Sequence, residues 1–134
     1  MQFASTRIIT QDVQRLVGFY QQVTLIAPVW RTPEFAELST PTYTLAIGSE
    51  STVERFYPGA ARGSRNQSTI LELRVADVDV EYRRLAERLD VVVQVPTTMP
   101  WGNRSLLFRD PDGNLVNLFT PVSPEAIQRH TRGT

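Results

Sequence analysis

The stretch Asn103-Arg104-Ser105-Leu106-Leu107-Phe108-Arg109-Asp110-Pro111-Asp112-Gly113-Asn114-Leu115-Val116-Asn117-Leu118-Phe119-Thr120 decides how this chain folds. Two runs rich in Leu, Val and Phe flank five residues of turn chemistry. Asp-Pro starts a turn because proline fixes its own φ, and Gly113 supplies the positive φ that closes it. The reading is a hairpin with strands Asn103 to Arg109 and Asn114 to Thr120.

Working back from this hairpin, Val91 to Val95 is a third strand. Asp77 caps a helix running to about Leu89, with Val78, Tyr82, Leu85 and Leu89 at helical spacing. Ser68 to Ala76 precedes it as a β-branched and leucine-rich strand. The same order occurs earlier in the chain. Phe3 to Thr10 is a strand, and Asp12 caps a helix to about Gln22 with Val13, Leu16, Val17 and Tyr20 on one side. Pro28-Val29-Trp30, Glu34 to Ser39 and Thr42 to Gly48 are three short strands parted by Pro33 and Pro41. Laying Asp12-Val13 on Asp77-Val78 superposes the two halves, as an old internal duplication would. The expected fold is therefore α+β, one domain over 1–134 made of two tandem βαβββ modules. Module one spans 1–57, a polar linker 58–67, module two 68–122, and a C-terminal helix 123–131 with Ser123 as cap and Pro124 at its first position.

Composition excludes many functions. Fourteen basic residues balance fourteen acidic ones, so no net field draws the chain to nucleic acid or to an anionic membrane. All the basic residues are Arg; without Lys there is no Schiff-base nucleophile and no Walker-type phosphate lysine. Without Cys there is no disulfide, thiol nucleophile or thiolate metal site. The one histidine, His130, lies close to the C-terminus, where a solvated tail side chain is the expectation. No basic n-region with an apolar run opens the chain and no stretch approaches a membrane span, so the expected address is the cytoplasm.

The segment Pro100-Trp101-Gly102 followed by Phe108-Arg109-Asp110-Pro111-Asp112-Gly113-Asn114 and Val116-Asn117-Leu118 resembles the C-terminal ending of the vicinal oxygen chelate superfamily. That superfamily includes glyoxalase I, extradiol dioxygenases, fosfomycin-modifying enzymes and bleomycin-binding proteins. Phe19-Tyr20 is similar to the aromatic pair of the family's first helix, and the likeness covers nearly the whole chain. The resemblance implies paired βαβββ modules forming a curved, cavity-enclosing sheet, commonly in a homodimer. It also implies a divalent metal held by two His and two Glu. At the matching positions stand Ser5, Ala46, Ile70 and Asn117. Those four side chains make none of the usual metal-ligand sets, so the expectation is no metal and no other cofactor.

Strand alternation puts Arg7 with Ser5, Glu72 and Arg74 with Ile70, and Phe119 with Asn117, all facing inward. Arg7 and Glu72 are equivalent by the duplication, and buried charges need each other or a ligand, so structural pairing and ligand recognition are both open. Trp30, Phe35, Tyr43 and Trp101 are candidates for stacking on a planar ligand, as the resemblance to bleomycin-binding relatives implies; core packing of Trp101 is the alternative. Phe56-Tyr57-Pro58 is placed at the cavity mouth. The ligand-binding set is thus Arg7, Trp30, Phe35, Tyr43, Glu72, Arg74, Trp101 and Asn117, with no catalytic residue assigned. The expected function is metal-free binding of an apolar or aromatic small molecule by a protein of bleomycin-resistance type. A metal-independent lyase or isomerase with Glu72 as general base is the alternative, and a degenerate paralogue with only an interaction role is a third reading.

Overall fold

The computed structural model describes residues 1–131, which divide into two units, Met1–Asn66 and the chain from Gln67 onward. In the first unit β1 (Ser5–Thr10) leads through α1 (Val13–Thr24) to β2 (Val29–Thr32), β3 (Phe35–Ser39) and β4 (Thr44–Ser49), with a short α2 (Glu50–Glu54) after it. The second unit repeats the order: β5 (Ile70–Arg74), α3 (Val78–Leu85), β6 (Val91–Thr98), β7 (Asn103–Arg109), β8 (Leu115–Pro121) and then α4 (Pro124–Thr131). The strand orders are β1-β4-β3-β2 and β5-β8-β7-β6, so each helical crossover returns its first strand parallel to its own last strand. The expected βαβββ duplication is present. It takes the form of two four-stranded sheets, because each module completes its pairing within itself.

Local chemistry sets the element ends. The Asp12 carboxylate accepts the Arg15 N–H at 3.1 Å, and Asp77 accepts the N–H groups of Asp79 and Val80 at 3.0 and 3.3 Å. Both satisfy orphan donors of a first helical turn. α1 outruns its expected end and stops where Leu25 turns left-handed, at φ 58, with its N–H on the Gln21 carbonyl. α3 stops early and gives way to a 3-10 turn at Ala86–Arg88, which still buries Leu89. One face of each sheet is covered by its crossover helix. Leu16, Val17, Tyr20 and Val23 of α1 are buried with Ile8, Ala36, Leu38 and Ile47; Val78 and Leu85 of α3 are buried with Leu106, Phe108, Val116 and Leu118. That burial is the main stabilising term of each unit.

After β4, α2 buries Val53, and further on the Gly63 N–H binds Glu50 Oε2 at 2.9 Å. A Cβ on Gly63 would sit 3.0 Å from the backbone at Thr10 and Gln11, a close approach that glycine allows. The unit boundary falls after Asn66, inside the 58–67 segment. The hairpin forms as read. Asp110 is buried, and its carboxylate accepts the N–H groups of Asp112 and Asn114 (both 2.9 Å) and Asn114 Nδ2 (2.8 Å). Gly113 takes φ 84 and donates to the Asp110 carbonyl. This closure sets the β7–β8 register, with Arg109 opposite Leu115, Leu107 opposite Asn117 and Ser105 opposite Phe119.

Gly102, before β7, has φ 93, and its carbonyl accepts the N–H groups of Val122 and Ser123. A Cβ there would stand 2.0 Å from Ser123 Oγ, so the glycine lets the hairpin base lie directly on the start of α4. Asp79, adjacent to the capping Asp77, binds Arg104 of β7 through two contacts of 2.8 and 3.1 Å. The guanidinium hydrogen bonds hold the Asp79 carboxyl below its usual range against the opposing effect of burial, and the charges of Arg104 and Arg83 add to them.

Asp110→Ala should destabilise the protein by about 3 kcal/mol, because a buried acceptor of at least three hydrogen bonds is lost. A urea-denaturation difference under about 0.5 kcal/mol would refute the clamp. Because the Asp79 pKa is depressed in the folded state, its pair contributes stability above the ordinary carboxylate value of 3.8 and loses it as pH falls through the folded pKa. The stability gap between wild type and Arg104→Met should therefore be constant near neutrality and shrink below about pH 4. A gap that does not change down to the acid transition would count against it.

Candidate functional site

In the first unit the strand pairing divides the candidates between two faces. Arg7, Ala46, Glu37 and Val29 lie opposite one another across the sheet, and Ile9, Gly48 and Phe35 form the next row of the same face. Arg7 and Phe35 therefore share the face away from α1. Trp30 lies opposite Ala36, on the helix-covered side. The Tyr43 hydroxyl bonds Thr6 Oγ1 at 2.8 Å, on the side of Ile8. Both aromatics remain over a third exposed (37% and 39%), at the sheet margin. Arg7 itself is held by Tyr57: its NH2 group donates to the Tyr57 hydroxyl, and its guanidinium carbon lies 5.7 Å from that ring's centroid. Tyr57 reaches it because the chain leaving α2 folds back, with the Tyr57 N–H on the Val53 carbonyl at 2.8 Å.

The second unit gathers more. Glu72, Asn117, Leu107 and Gln94 form one row across the sheet, and Arg74, Phe119, Ser105 and Thr97 form another. Glu72, Arg74 and Asn117 therefore share a face, as expected, opposite to that packed by α3. Asn117 Nδ2 donates to Glu72 Oε2 at 2.9 Å. Arg74 NH1 donates to the His130 carbonyl at 2.6 Å, and the His130 ring lies 4.9 Å from that of Phe119. The expectation of a solvated His130 is corrected here: α4 carries it to this face, where its Nε2 is buried. Trp101 does not pack beneath the hairpin either. It is 57% exposed, with only its carbonyl engaged, by Arg129 at 3.2 Å.

Arg7 and Glu72 were expected to need each other or a ligand. Within its own unit each has a hydrogen-bond partner, Tyr57 for Arg7 and Asn117 for Glu72. The unmet groups are elsewhere. Gln94 Oε1, Asn103 Oδ1, Asn117 Oδ1 and His130 Nε2 are buried and have no hydrogen-bond partner among the described residues. Asn117 itself is only 8% exposed. The family resemblance marked Asn117. Gln94 was hidden by irregular register in β6, which shifts on both sides of it, and His130 by the return of α4.

The metal implied by the family can be tested on these residues. Ser5, Ala46, Ile70 and Asn117 offer a hydroxyl, two hydrocarbons and an amide, and the Asn117 amide nitrogen is already turned to Glu72. Among the described residues no group of three or more His, Cys, Asp or Glu is placed to hold a metal ion. One carboxylate beside one amide does not meet the ligand number of a divalent cation. The residues do not fit that metal.

The tandem βαβββ units and their hairpin ending define a protein class. Residues 2–118 match the Glyoxalase/Bleomycin resistance protein/Dioxygenase superfamily model, and the chain belongs to that superfamily. No curated protein matches it. Among solved structures, it is similar to a glyoxalase/bleomycin resistance protein/dioxygenase family enzyme from Burkholderia phytofirmans PsJN (TM-score 0.81, 17% identity, 91% of this chain and 100% of that one). A lactoylglutathione lyase from Agrobacterium tumefaciens is also similar (TM-score 0.67, 21% identity, 88% and 92%). A superfamily member from Sphaerobacter thermophilus DSM 20745 reaches 28% identity at TM-score 0.67, over 90% of this chain and 97% of that one.

Because its ring is mostly exposed, Trp101→Ala should change stability by less than about 1 kcal/mol. A larger loss in thermal or urea unfolding would put the ring in a packed core.

Proposed function

We propose that this protein binds an apolar or aromatic small molecule without a metal, in the manner of a bleomycin-resistance protein, and acts by sequestering it. The observation that carries this reading is the side chain at the family's metal position in β8. Asn117 donates its amide N–H to Glu72 and is left with a buried oxygen that is unmet among the described residues, a neutral acceptor suited to a donor on a ligand. The exposed ring of Trp101, in the same unit, supports it, since such a ring gives a large contact area for little entropy. Glu72, Arg74 and Asn117, which share one face of the second unit, complete the contacts of this reading. Cytoplasmic antibiotic resistance and a homodimer belong to the same proposal.

Isothermal titration of chelator-dialysed protein against planar aromatic natural products is the test. Saturable one-to-one binding that survives chelation is expected, weakened several-fold by Trp101→Ala, while light scattering gives the mass of two chains. Binding that needs added metal, or no binding across the panel, would sink the reading.

A second reading, proton abstraction by Glu72 in a lyase or isomerase, is favoured by the exposure of this carboxylate on the sheet face. Under it, Glu72→Gln abolishes turnover and leaves ligand affinity largely intact. Equal loss of binding and turnover would instead make Glu72 a binding group.

A further inference from the structure

We infer that the Glu72–Asn117 pair forms a subsite for an organic cation or other N–H donor on the ligand, in particular a protonated amine or amidinium attached to an aromatic or apolar body. The inference rests on the binding function proposed above and names the chemistry that its polar subsite selects.

The first step is the orientation of Asn117. An ionised carboxylate only accepts hydrogen bonds, so the amide facing Glu72 must present Nδ2, as it does at 2.9 Å. The amide oxygen is then fixed as the free end. It is buried and has no hydrogen-bond partner among the described residues, on a residue only 8% exposed. A buried acceptor left unmet is costly, so a donor brought to this point recovers that cost. Gln94, in the same row across the sheet, carries a second buried and unpartnered acceptor in Oε1. The buried unmet groups of this row are therefore both acceptor oxygens.

The second step is charge. Glu72 is exposed on β5, and its unit contains several arginines that could have neutralised it. Five of them have other partners. Arg74 donates to the His130 carbonyl, Arg109 to the Gly113 carbonyl, Arg129 to the Trp101 carbonyl, Arg84 to Glu81 and Arg104 to Asp79. Within this unit the Glu72 carboxylate is met by a neutral amide, so its charge is available to a ligand cation.

The third step is the surroundings. Leu107 stands beside Asn117 in the row, and Leu115 and Phe119 flank it along β8. A small aqueous metal ion gains nothing from these neighbours and finds too few oxygens. An ammonium or amidinium group on an aromatic body uses both, the cation at Glu72 and Asn117 and the ring on the hydrocarbon.

The test uses the full chain, with benzylammonium and benzamidinium chlorides as probes and benzyl alcohol and sodium benzoate as neutral and anionic controls. Binding is followed by NMR through the Asn117 side-chain amide and the backbone amides of β5 and β8. The cations should shift these signals saturably and bind at least about tenfold tighter than either control, the scale of one charge-assisted hydrogen bond. Glu72→Gln and Asn117→Leu should each remove that preference while leaving an unchanged fold in the remaining spectrum. If benzyl alcohol or benzoate binds as well as the cations, the cation subsite is wrong and the aromatic-binding function stands. If neither cation perturbs these signals, the subsite is likewise refuted; retention of an aromatic natural product in the calorimetric test then shows that the broader function survives. Displacement of the cations by micromolar magnesium or manganese would overturn the inference in favour of a metal site.

Discussion

The Asp110 carboxylate holds the second unit in register. It closes the turn between β7 and β8 by accepting backbone and side-chain donors from Asp112 and Asn114. Side chains alternate along a strand, so a slip of one residue would exchange the two faces of the hairpin. Val116 and Leu118 would leave the core beneath α3, and Asn117 would enter it. With the turn closed as it is, Leu107 lies opposite Asn117, and β5 pairs on the other side to put Glu72 beside it. The polar row therefore depends on a clamp at the hairpin's far end.

The duplication shows how one backbone plan yields two different faces. Arg7 lies opposite Ala46 in the first unit where Glu72 lies opposite Asn117 in the second. The pairing is the same, but only the second combination can hydrogen-bond side chain to side chain. Arg7 takes its partner from Tyr57, which the short helix after β4 brings back. In the second unit the segment after the last strand also returns: α4 gives a carbonyl to Arg74 and a ring to Phe119. Each module thus uses the chain leaving its last strand to occupy an arginine on its first.

These returns explain the candidate site. Engaged by α4, Arg74 is drawn toward the His130 end of the face, and Glu72 and Asn117 remain the polar pair of the next row. Gly102 makes the docking of α4 possible, since any side chain there would collide with Ser123. A backbone requirement at the base of β7 thereby shapes which charges a ligand would meet.

Elements with strong local signals were legible in the residues alone: the aspartate caps at Asp12 and Asp77, the DPDGN turn, the β7 boundaries, and the start of α4 at Ser123-Pro124. Their physics is short-range, so a few neighbouring residues fix it. The choice of Ser5, Ala46, Ile70 and Asn117 as positions to inspect for a donor set came only through the family resemblance. The partners of Arg7 and the place of His130 were not legible, nor was the sorting of Trp30 and Tyr43 away from the face of Arg7. They arise from segments distant in sequence that strand pairing and returning helices bring together. The sequence alone determined the modules and the chemistry available to them; tertiary structure decided which side chains meet, because register and packing act across the chain.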